Sequence, residues 1–149
     1  MENSLQRNAN QRPAAVTFLV IVNGLALVLT VLFWSVVRLK RLVPAPGSLT
    51  TLNERANAAT TYGFMAGDLI VSAPLLLLAA LGLRRLRFWG WTAAQMANIL
   101  WIYSMTVIWI RDGYSSVSPG AVLFTPFAAI ALWSSIYLWK IRRRFRDDG

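Results

Sequence analysis

Charged side chains are spaced unevenly along this 149-residue chain, leaving four long stretches, 13–37, 56–83, 88–110 and 113–139, that hold no Lys or Arg and a single acid, Asp68. A hydrocarbon core of roughly 30 Å is crossed by about 20 apolar residues rising 1.5 Å each, so every stretch is long enough to span a bilayer as a helix. The pattern predicts an all-α integral membrane protein. Its four transmembrane helices are expected at approximately 14–37, 58–83, 88–110 and 119–139, forming an up-down-up-down bundle in one membrane domain over residues 1–149.

The first stretch follows Arg7 and Arg12, as the core of a secretory signal would, yet it runs unbroken over 14–37 and ends in Arg38, Lys40 and Arg41. A cleaved signal has an apolar core of about 7 to 15 residues, so this one is expected to be a retained span. Pro44, Pro46 and Gly47 then mark an extended connector. Thr51 followed by Glu54 matches a capping box and predicts that the second helix begins near Leu52, ahead of its apolar part. Arg84, Arg85, Leu86 and Arg87 allow only a tight antiparallel turn, which makes spans two and three neighbours. Ser118 before Pro119 reads as the cap and first residue of the fourth helix.

Composition narrows the chemistry. The chain is 56% hydrophobic and 14% charged and has neither Cys nor His, which removes thiol, disulfide, thiolate-metal and imidazole chemistry together. No cofactor, no metal site and no enzymatic activity are expected. The net charge of +9 does not point to nucleic acid, because the basic residues sit at the ends of the apolar stretches, where Lys and Arg orient a membrane protein. Ten of the 15 lie in the N-terminal tail, the 84–87 turn and the C-terminal tail, and five in the other two loops. This asymmetry predicts a cell-membrane protein with both termini cytoplasmic. Trp89, Trp91 and Trp139 at one side and Trp34 and Trp109 at the other match the headgroup levels.

An acid at the centre of a membrane helix costs about 2.5 to 3.5 kcal/mol on insertion scales, so Asp68 needs a partner or a purpose. Counting from Arg84 places it about 24 Å along the second helix. Ser72 is one turn further on, and Tyr103 and Ser104 reach the same depth on the antiparallel third span. These four are the candidate ligand or ion site. Gly63 and Gly67 form a small-xxx-small pair expected to admit close helix packing, and Pro74 and Pro126 are potential kinks. Asn23 and Asn98 lie at equal depth on spans one and three and are expected, with Gln95, to make interhelical polar contacts. Arg111 and Asp112 are expected at a solvated boundary. Lys140, Arg142, Arg143, Arg144 and Arg146 are expected to meet anionic lipids on the cytoplasmic side, at about 1 kcal/mol per cation.

Packing signals outnumber chemical ones, so the leading expectation is a non-enzymatic accessory or assembly subunit, with a membrane-protein partner or a homo-oligomer around it. The alternative is a small oligomeric transporter or channel that uses Asp68 as a proton, cation or ligand site.

Overall fold

The computed structural model describes residues 12–114 and 119–145. Four helices long and apolar enough to cross a membrane make up nearly all of them, and no strand occurs among the described residues. They are α1 (Ala14–Leu39), α2 (Leu52–Arg84), α3 (Phe88–Tyr114) and α4 (Pro119–Lys140). The protein is an integral membrane four-helix bundle. One end carries the start of α1, the turn between α2 and α3 and the end of α4. The other, called the loop end below, carries the connection from α1 to α2.

Local sequence accounts for the helix boundaries. Leu52 opens α2 because the capping box ahead of it forms: the Glu54 amide donates to Thr51 Oγ1 at 3.3 Å, and Glu54 Oε2 accepts from the Thr51 amide at 3.4 Å. At the other end of α2 the chain reverses tightly. The amides of Leu86 and Arg87 donate back to the carbonyls of Leu83 and Gly82, and Leu86 takes a φ of 52°. The same wrap ends α1, with Arg41 and Leu42 donating to Arg38 and Val37 and Arg41 at a φ of 50°. Both left-handed positions are usually glycine, and here an aliphatic and a cationic side chain bear that cost. Arg12 joins the start of α1 to the end of α2, donating from Nε to Thr17 Oγ1 at 2.9 Å and from Nη1 to the Arg84 carbonyl at 3.3 Å. Ser118, the expected cap of α4, lies outside the described residues, and α4 runs through Pro126 without a break.

Packing is strongest near the turn between α2 and α3. Gly82 and Gly90 face each other across it so closely that a Cβ on either would overlap the other's backbone. Val16, Leu19, Ala79, Leu83, Ala94 and Leu138 form the core beside this contact. From there α3 and α4 are tied by a ladder of polar bonds. Trp91 Nε1 donates to the Leu138 carbonyl at 2.9 Å, Gln95 Nε2 to the Ser135 carbonyl at 3.1 Å, and Asn98 Nδ2 to Ser134 Oγ at 3.0 Å.

α2 is not uniform. Its two α-helical parts, Leu52–Gly67 and Ala73–Arg84, are joined by a π-helical turn, Asp68–Ser72, in which the Ala73 amide donates to the Asp68 carbonyl, five residues back. Pro74 supplies a reason, since it brings no N–H to the ladder and its ring crowds the preceding turn. The consequence is a division of labour along one helix. The part after the π turn is wedged between α1 and α3. In the part before it, Ala58 is the one buried residue, and the main anchor is the loop end, where Tyr62 Oη donates to the Val43 carbonyl at 3.2 Å.

Candidate functional site

A cavity of about 370 Å³ opens in the loop-end half of the bundle, where the first part of α2 stands largely clear of its neighbours. All four helices line it, as do Leu42 and Val43 of the first connection. Its size falls in the range of small-molecule sites, roughly 300 to 1,000 Å³. Its wall is mostly apolar and strongly aromatic. Phe33 and Trp34 meet edge to face at 5.0 Å, Phe33 and Phe124 at 5.4 Å, and Phe124 lies 5.4 Å from Trp101, so a chain of rings crosses from α1 through α4 to α3. Phe64 adds a fifth ring from α2.

Asp68 enters this cavity from the first residue of the π turn. Trp34 Nε1 donates to its Oδ2 at 2.8 Å, and Ser72 Oγ donates to its Oδ1 at 3.3 Å. No Lys or Arg among the described residues forms an ion pair with it. A carboxylate has roughly four acceptor positions, so these two donors leave it room for another. Arg111 also lines the cavity, but its guanidinium is held by Asp112, with Nη2 at 2.9 Å and Nε at 3.0 Å from Oδ1.

Three of the four site residues expected from the sequence, Asp68, Ser72 and Ser104, line this one cavity. Tyr103 does not; it is 64% exposed on the outside of α3. Equal depth told which level Tyr103 and Ser104 share with Asp68, but the two differ by one residue, and one residue turns a helix by about 100°.

The expected amide contact between spans one and three is not made. Asn23 Nδ2 donates to the Leu19 carbonyl of its own helix at 2.7 Å, while Asn98 and Gln95 reach across to α4. Asn23 and Asn98 do border the same gap of about 20 Å³, with Ser134 beside them. That is close to the space one water needs, and the site is polar enough to hold it. Gly63 and Gly67 have nothing within 4 Å of where a Cβ would stand, so the expected close packing is absent at that pair and falls instead on Gly82 and Gly90. The pair lies just before the π turn, on the part of α2 that does not touch its neighbours closely. Asp112 is 7% exposed, which replaces the expected solvated boundary by a buried acid.

At the other end, Arg142 projects over three rings, its guanidinium carbon 5.4 Å from the centres of Phe88 and Trp91 and 5.7 Å from that of Trp139. Lys140, Arg143 and Arg144 are exposed, and Arg146 lies outside the described residues. Sequence reasoning missed Trp34 as the partner of Asp68. The available signal was its place at the loop end of α1, the level that Asp68 occupies on α2.

Compared with models of protein families, with characterised proteins and with solved structures, the chain matches none.

Proposed function

We propose that this is a non-enzymatic, multi-pass membrane protein that holds a lipophilic small molecule in the cavity beside Asp68, for binding or carriage across the outer leaflet. The observation that carries this reading is the convergence of all four helices on one cavity around Asp68, the single acid within the four apolar stretches. An acid at that depth is costly, and intramembrane acids are functional sites by default. The lining supports a binding role over catalysis, since its charged side chains are Asp68 and Arg111 and it contains no second acid or base. In this reading the termini and the turn at 85–87 are cytoplasmic, the cavity faces the outer leaflet, and Lys140, Arg143 and Arg144 meet anionic lipids of the inner leaflet.

A second reading, an assembly subunit, is favoured by one feature. Ala59, Gly63 and Gly67 recur every four residues on an exposed face of α2, and the two glycines have no neighbours, which leaves room for a helix of another protein. Native mass spectrometry of the protein released from its own membrane distinguishes the two. Our reading predicts a bound small molecule that is lost when Ser104→Phe fills the cavity; a stoichiometric protein partner with no such molecule would favour the second.

A further inference from the structure

We infer that the ligand of the Asp68 cavity is a lipophilic organic cation, an amine or quaternary onium ion with an apolar or aromatic body. This rests on the reading of the cavity as a binding site and adds the chemical class.

Three features of the lining specify that class together. The first is a carboxyl group without a cationic partner. Asp68 accepts from Trp34 and Ser72, both neutral donors, and forms no ion pair among the described residues. Intramembrane acids of this kind mark substrate or ion pathways or serve as counter-ions to a ligand. The second is the ring wall. Aromatic faces carry negative charge density and attract a cation that has shed its water, and this wall presents Phe33, Trp34, Phe64, Trp101 and Phe124 in one enclosure. The third is that the cavity's one basic side chain is already paired. Arg111 is bonded to the buried carboxylate of Asp112, so its charge is offset by its neighbour in the chain.

The same lining argues against two simpler occupants. A bare metal ion of the hard kind takes about six oxygen ligands, and here one acid is accompanied by scattered hydroxyls of Thr30, Thr61, Ser72 and Ser104 among hydrocarbon and rings. An anion would meet an Arg111 whose charge Asp112 already offsets, beside an Asp68 that forms no ion pair among the described residues. A large, weakly hydrated cation meets neither obstacle, and its apolar body replaces lipid against the aliphatic part of the wall.

The test uses the full chain in detergent or nanodiscs and three probes of related shape: tetraphenylphosphonium, neutral triphenylphosphine oxide and anionic tetraphenylborate. Binding is read by quenching of tryptophan fluorescence and by equilibrium dialysis. The expected result is saturable binding of the phosphonium, weakened about tenfold or more by Asp68→Asn, kept by Asp68→Glu and abolished by Ser104→Phe, with the neutral probe weaker than the cation. The melting curve of Asp68→Asn controls for folding. If that variant unfolds, competition between the three probes on the parent protein decides the same question. Neutral or anionic probe bound as tightly as the cation, with Ser104→Phe abolishing all of it, overturns the cation assignment and leaves the cavity reading standing. Probe binding that Ser104→Phe does not change, or none at all, overturns both.

Discussion

Asp68 joins two roles in one side chain. Through Trp34 it pins α1 to α2 at the level where α2 changes from α to π geometry, and through its free acceptor positions it faces the cavity. These roles separate on mutation. Asp68→Asn keeps an acceptor for the Trp34 indole and should leave the melting temperature nearly unchanged. Asp68→Leu strands a buried indole N–H and should cost about 1 to 3 kcal/mol, seen as earlier loss of the monodisperse peak when the protein is heated in detergent. Equal stability of the Leu variant would mean that the 2.8 Å bond contributes nothing to the bundle. The acid itself was legible in the sequence because a charge in an apolar run needs no geometry to be noticed. Trp34 was not, because a tryptophan near a helix end is equally well explained by the headgroup level.

At the scale of elements, what could be read was what is local in sequence. The capping box at Thr51, the tight turn after Arg84 and the lengths of the four helices follow from neighbouring residues and from runs of apolar positions. Helix rotation does not follow from depth, which is why Asn23 and Asn98 share a gap without a bond and Ser104 but not Tyr103 reaches the cavity. Small-residue motifs failed for a different reason. Gly63 and Gly67 have the right spacing on a part of α2 that the π turn leaves without a close neighbour, whereas Gly82 and Gly90 are in different helices and become a contact only once the chain folds back. The helix hairpin should therefore be far more sensitive at Gly82 than at Gly63. Gly82→Ala forces backbone apart and should cost about 1 to 3 kcal/mol or more, while Gly63→Ala should be neutral or slightly stabilising through helix propensity. Comparing the two by thermal denaturation in one detergent checks this, and similar costs would contradict the packing described.

For the molecule as a whole, the bundle is tight at one end and open at the other. Glycine contact, aliphatic core and the α3–α4 polar ladder hold the end with the α2–α3 turn, and the cavity occupies the loop end. Such a division suits a ligand site that must admit a molecule while the fold persists. In the orientation proposed from the charge asymmetry, the open end lies outside. Because the chain has no cysteine, single cysteines report position cleanly. Ser48→Cys, in the connection between α1 and α2, should react with a membrane-impermeant maleimide added to intact cells, and labelling only after lysis would reverse the orientation.

In the same cysteine-free background, single cysteines report whether the loop-end cavity holds a lipophilic molecule. Ser104 lines the cavity, and Tyr103, its neighbour in sequence, is exposed outside it. Alkylation rates of Ser104→Cys and Tyr103→Cys are measured in nanodiscs, with and without tetraphenylphosphonium or triphenylphosphine oxide. The proposed binding role predicts that at least one of these probes slows labelling at 104 severalfold and leaves 103 unchanged. Rates at 104 that neither probe alters, or equal protection at both positions, would contradict it.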